Sequence, residues 1–175
     1  TNRFGGNTPC VEIRAGGRLL ILDAGSGIQP LGAQLLRARG RIEADILFTH
    51  YHWDHIHGFP FFGPAYSPAN RFTLWGERRA GRSVRDILAG QMAMPYFPVP
   101  LEAMRAEFEV RDVGPRQTLR LGPVTVRTES LNHPGKALSY RVEHGGRSVV
   151  YATDTEHGAR LDEEIPKMPR ADKEE

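Results

Sequence analysis

Cysteine occurs once, at Cys10. That excludes an internal disulfide framework and any cysteine-based zinc site, fits a reducing, cytoplasmic compartment, and leaves Cys10 as a small buried apolar residue. Lysine is nearly missing too, with only Lys136, Lys167 and Lys173 among 23 basic side chains; against 21 acidic ones the formal net charge is only +2, too small to predict nucleic-acid binding. No apolar run approaches the roughly 20 residues of a membrane span, and no charged-then-apolar leader precedes the globular pattern, so the sequence offers no membrane contact. There is no internal repeat and no low-complexity tract. What is present, 175 residues with 39% hydrophobic side chains, suffices for one sizeable core. The expected organisation is one domain over 1–165, with 166–175 a tail or the edge of a missing C-terminal portion.

The first strands are expected at Cys10 to Ala15 and Arg18 to Asp23, joined by Gly16-Gly17 as a hairpin. Leu31, Leu35 and Ala38 recur at helical spacing over Pro30 to Arg39. Ala44 to Thr49 reads as a short buried strand. Further on, strands are expected at Phe72 to Trp75, Glu107 to Asp112, Thr118 to Leu121, Val124 to Ser130, Ser139 to Glu143 and Ser148 to Thr153, with a helix at Ser83 to Met92.

Immediately after the Ala44 to Thr49 strand comes FTHYHWDHIHGFPFF, Phe48 to Phe62, in which His50, His52, His55 and His57 crowd around Asp54. His50 and His52 are two apart, so on an extended backbone both imidazoles face one side. Asp54 and His55 follow at once, and a helix starting there aims them at a second point nearby. Imidazole together with carboxylate suits zinc, iron, manganese or nickel, whereas magnesium and calcium prefer oxygen ligands alone. An incidental polar loop is the bland alternative; the H-x-H-x-D-H spacing at a strand end weighs against it. His133, in SLNHPG, and Asp154, in YATDTEH, also lie just past expected strand ends and are the candidates to complete the site.

These segments resemble the metallo-β-lactamase superfamily: LLILDAGSG, ILFTHYHWDHIHGFP, LNHPG and VVYATDTEH follow in that family's order, over nearly the whole chain. The resemblance implies an α+β fold, an αββα sandwich with a metal site at one edge of its two sheets. It is strongest toward a branch near the tRNA 3′-processing endonucleases and cyclic-phosphate phosphodiesterases. It implies that His50, His52 and His133 hold a first metal ion, Asp54 and His55 a second, and that Asp154 bridges both. Asp23 would support the ligands from behind, with a turn-capping aspartate as the alternative. The family usually supplies a final histidine to the second ion from beyond the last strands, and none occurs after His157. The expectation is therefore a chain lacking its C-terminal portion, with His157 a support or exposed residue rather than a ligand.

The cofactors implied are two divalent transition-metal ions, zinc first, with manganese or iron as alternatives. Two such ions lower the pKa of water toward ~7 and clamp attacking and leaving oxygens, so hydrolysis is the expected reaction, with Asp54 orienting the nucleophile. The bond preferred is a phosphodiester in a small molecule or nucleotide, cut by a metal-bridging hydroxide. The alternatives are a hydrolase of lactone, ester or β-lactam bonds, and a catalytically idle binding or regulatory domain with an incomplete site. The cluster ERRAGRSVR, Glu77 to Arg85, offers cations to a phosphate or is a solvated helix face. Phe61, Phe62, Tyr66, Tyr96 and Phe97 are candidates for a pocket wall or lid, with core packing or a homodimer interface as the competing readings.

Overall fold

Two glycines with positive φ, Gly16 at 53° and Gly17 at 75°, close the first hairpin, because a two-residue turn matching strand twist needs the left-handed region at both positions. The hairpin pairs β1 (Val11–Ala15) with β2 (Arg18–Leu22) in antiparallel register. This belongs to a computed structural model in which residues 5–38 and 40–156 are described. Beyond β2 the first sheet continues in parallel through β3 (Glu43–Leu47), β4 (Arg71–Gly76) and β5 (Glu107–Asp112), in the order β1-β2-β3-β4-β5. The second sheet is antiparallel, β6 (Thr118–Leu121), β7 (Val124–Leu131), β8 (Ala137–His144) and β9 (Arg147–Tyr151), in chain order.

The apolar run of β2 is buried on both faces, and its period of two divides it between two cores. Leu19 and Ile21 join a core with α1 (Ile28–Arg37), α2 (Trp53–Ile56) and α3 (Val84–Gln91). Leu20 and Leu22 join the other, against Val124, Val126, Leu138 and Tyr140 of the second sheet. The described residues thus form helical layer, first sheet and second sheet of the αββα sandwich. On β8, Arg141 alternates with the buried Tyr140 and Val142 and is exposed on the outer face. No helix among the described residues is long and apolar enough to cross a membrane.

The element boundaries differ from the sequence expectation by small, explicable amounts. Helix α1 starts at Ile28 rather than Pro30, because a proline within the first turn forfeits no intrahelical hydrogen bond. Helix α3 starts after Ser83, whose hydroxyl accepts from Asp86 N at 3.3 Å while the Asp86 carboxylate accepts from Ser83 N at 2.8 Å, a reciprocal cap. The expected tail at 166–175 lies outside the described residues.

Candidate metal centre

Parallel pairing of β2 with β3 aligns Leu22 with Leu47, so the segments leaving both strands emerge at one edge. Asp23 N donates to Leu47 O at 2.9 Å, and Asp23 itself sits at φ 61°, a left-handed conformation that aspartate tolerates better than most residues. The chain then folds hard against α2. Ala24 N donates to His55 O at 2.8 Å, and a Cβ on Gly25 would lie 2.2 Å from Asp54 O. The glycine of LDAG is there because any side chain would push the loop off the helix that carries Asp54 and His55.

His50 leaves the end of β3, and His52 is the extended residue capping α2, at φ -63° and ψ 149°. Asp54 and His55 occupy the first turn of α2, as the spacing predicts. His133 follows the end of β7, and Asp154 follows β9. All six converge. His50 Nε2 and His133 Nε2 each stand 3.7 Å from Asp154 Oδ2, and His133 Nε2 stands 3.0 Å from His52 Nδ1. His55 Nε2 stands 3.4 Å from Asp154 Oδ1 and 3.4 Å from Asp54 Oδ2.

The described residues therefore hold two clusters able to bind a metal ion, His50, His52, His133 and Asp154 in one and Asp54, His55 and Asp154 in the other. With metal–ligand bonds of about 2.0–2.2 Å, tetrahedral donors stand roughly 3.3–3.6 Å apart, and the observed separations bracket that figure. The donor chemistry fits as well. Among the described residues His50 Nε2 and His55 Nε2 are buried and have no hydrogen-bond partner, a costly state for nitrogens unless a cation accepts their lone pairs.

Asp23 explains why those lone pairs point inward. Fully buried, it accepts from Thr49 N at 2.7 Å, from Thr49 Oγ1 at 2.8 Å, from His55 Nδ1 at 2.8 Å and from Tyr151 Oη at 3.1 Å. The Thr49 hydroxyl proton is thereby committed to Asp23, so Thr49 Oγ1 accepts from His50 Nδ1 at 3.0 Å. One carboxylate fixes the Nδ1–H tautomer of both His50 and His55. Asp23 thus lies behind the two clusters, bonded to Thr49, His55 and Tyr151 rather than to its own turn. Thr49 and Tyr151 were not singled out from the sequence. Thr49 could have been noticed as the neighbour of His50; Tyr151, 128 residues from Asp23, left no local signal.

The electrostatics divide the histidines. Burial, reinforced by the neighbouring His55, His52 and His133, pulls His50 down to about 3. Burial also lowers His133, against the opposing charge of Asp154. For His55 burial works in the same direction, but the hydrogen bond and charge of Asp23, with Asp154 and Asp54, outweigh it and the net shift is upward. Burial, then Asp23 and Glu12, pushes the Cys10 thiol up to about 12, which leaves it a protonated packing residue.

Other expectations resolve unevenly. His157 lies outside the described residues. His57 closes α2 with Nδ1 2.6 Å from Trp53 O, and His144 ends β8 at the hairpin turn. Phe62 is fully buried core rather than pocket wall, and Tyr66 is tied down by its hydroxyl donating to Pro60 O at 2.6 Å. Phe61 and Tyr96 are exposed, stacked edgewise on Phe97 and Trp53 respectively. The ERRAGRSVR cluster forms no helix face until Val84; Arg79 to Arg82 is a tight turn. Volume does not mark the centre: a cavity of about 410 Å³ lies at the opposite end of the parallel strands, between the Gly16-Gly17 turn and the end of α1.

The family model described as Beta-lactamase superfamily domain matches residues 18–172. The chain belongs to that superfamily. Among curated members, the ribonuclease Z of Clostridium acetobutylicum is 25% identical over 141 residues, covering 78% of this chain and 44% of that protein. Among solved members, the metallo-beta-lactamase fold protein YhfI of Bacillus subtilis superposes with a TM-score of 0.58 at 18% identity, over 84% of this chain and 55% of that one. A diphosphatase of the PhnP family gives 0.56 at 21% identity, over 77% of this chain and 49% of that one. The human short-form tRNase Z gives 0.55 at 18% identity, over 91% and 66%. The chain spans less than half of the curated relative and about half to two thirds of these structures. At these identities the structural likeness establishes the metallo-β-lactamase fold.

Proposed function

We propose that this chain is a metal-dependent hydrolase of phosphodiesters. The observation that carries the reading is the placement of Asp154, whose Oδ2 faces His50 and His133 while its Oδ1 faces His55. One carboxylate serving two histidine clusters is what a pair of adjacent ions requires. His50, His52 and His133 would hold the first ion, Asp54 and His55 the second, and Asp154 both. When bound, the ions supply Lewis-acid charge that acidifies water and offsets negative charge developing on a phosphoryl group, with zinc the first candidate and manganese or iron the alternatives.

The chain's own residues do the rest. Asp23 keeps protons on His50 and His55 at Nδ1, by way of Thr49 for His50, so that both Nε2 atoms remain donors of electron pairs. Asp54 stands half exposed, its carboxylate at the mouth of the centre, where it can orient an attacking water. The relatives named a ribonuclease Z, a tRNase Z and a diphosphatase favour a phosphorus–oxygen bond over a lactam or carbon ester.

The test is hydrolysis of bis-p-nitrophenyl phosphate, beside chromogenic lactam and ester substrates, by protein stripped with chelator and titrated back with zinc or manganese. Two equivalents bind, the first more tightly because it meets four protein groups rather than three, and diester cleavage follows the second. Binding of less than one equivalent, or cleavage of lactam or ester without diester, would overturn the reading.

A further inference from the structure

Beyond β4 the chain makes a two-residue turn beside the metal centre. Arg79 N donates to Arg82 O at 3.0 Å and Arg82 N returns to Arg79 O at 2.9 Å, with Ala80 and Gly81 at positive φ, 47° and 78°. The turn is fastened to the centre on two sides. Tyr51, between His50 and His52, donates its hydroxyl to Glu77 O at 2.8 Å. Arg79 Nη2 donates to Lys136 O at 2.8 Å, and Lys136 N donates to His133 O at 2.9 Å, so the turn carrying His133 is held by the same arginine.

The result is a cavity of about 380 Å³ with His50 and His52 in one wall and Arg79, Arg82 and Lys136 in another; no carboxylate of the described residues lines it. The three cations are not equally spent. Arg79 is ion-paired with Glu77 at 2.9 Å, and Arg82 Nη2 donates to the backbone Asp86 O at 3.1 Å, with the nearby Asp86 carboxylate meeting part of its charge. The Lys136 ammonium is exposed and has no side-chain partner among the described residues. The cavity therefore carries excess positive charge, with His50 and His52 of the first cluster in its wall. An isolated diester bears one negative charge, which the ions already meet; a cationic wall beside them has work only with a second anion.

We propose that this cavity is a subsite for a second phosphate of the substrate, so that the preferred substrate is a nucleotide carrying a further phosphate close to the scissile diester. The inference rests on the phosphodiester reading above. It is tested with thymidine 5′-(p-nitrophenyl phosphate) and the same ester bearing a 3′-phosphate, on the metal-loaded native protein and on a Lys136→Gln, Arg82→Gln double variant; Arg79 is kept because it also holds the His133 turn. The native protein cleaves the 3′-phosphorylated ester with roughly tenfold higher kcat/KM, the double variant shows no preference, and both cleave the simple ester alike. Equal rates on the two esters in the native protein, or a preference surviving in the variant, would overturn the subsite. Should neither ester be cleaved, the hydrolase reading fails by itself, and calorimetric binding decides the subsite: thymidine 3′,5′-bisphosphate binds more tightly than thymidine 5′-monophosphate to native protein only, whereas equal affinities reject it.

Discussion

The two ends of the parallel strands make an instructive pair. At the end away from the ligands, a cavity of about 410 Å³ is lined by Arg14, Arg18 and Arg41, and each has its acid: Glu12 at 2.6 Å, Asp45 at 2.5 Å and Glu43 at 2.8 Å. At the other end, buried imidazole nitrogens have no hydrogen-bond partner and Lys136 no acid among the described residues. The roomier cavity is electrostatically finished; the smaller one beside His50 is not. Groups left unsatisfied, more than volume, mark where a ligand belongs.

That contrast can be broken at either end. Asp154→Ala removes the carboxylate shared by both clusters, so diester turnover falls by at least about a thousandfold and bound metal drops below two equivalents, measured by initial rates and metal analysis; retained turnover would mean the centre is elsewhere. Arg18→Met acts at the finished end. It strands Asp45, whose side chain is 2% exposed and which also accepts from Trp75 Nε1 at 3.0 Å. The expected loss is about 1–3 kcal/mol of unfolding free energy in urea titration, with kcat unchanged, since nothing at that end touches the chemistry. The smallest effect separates the two clusters from each other. His55 is raised above its ordinary value, so its Nε2 must shed a proton before it can ligate, whereas His50, lowered to about 3, is already free. As pH falls through 6.5 and below, affinity at the Asp54/His55 cluster drops by about tenfold per pH unit, while His50 and His133, both lowered, keep their lone pairs at the other cluster. Zinc titrations at pH 7.5, 6.5 and 5.5 would show the weaker step vanish first; loss of the tighter step first would contradict the assignment.

Local features were legible in the sequence and distant ones were not. The ligand run from His50 to His55 was readable because strand alternation and the first turn of a helix are set by neighbours a few residues apart. His133 and Asp154 were readable as chemistry-bearing residues just past strand ends. The strand of Glu107 to Asp112 agrees residue for residue with the observed β5. The burial of Phe62 was not readable, because an aromatic in a Pro-Gly loop looks the same whether it faces a core or a cleft. Nor was the turn at Arg79 to Arg82, whose left-handed Ala80 a helical spacing of arginines conceals. The supports of Asp23 escaped for the same reason: Tyr151 meets it only once two sheets have packed.

Asp23 carries a consequence for anyone hoping to retune this protein. Because one buried carboxylate disciplines an imidazole from each cluster, the two clusters share a common foundation, and a change there reaches both. Its backbone further narrows the alternatives, since at φ 61° few residues besides asparagine or glycine sit comfortably and neither carries charge. Evolution and engineers alike are left the solvent side of the clusters, through Asp54, His52 and the loops above them.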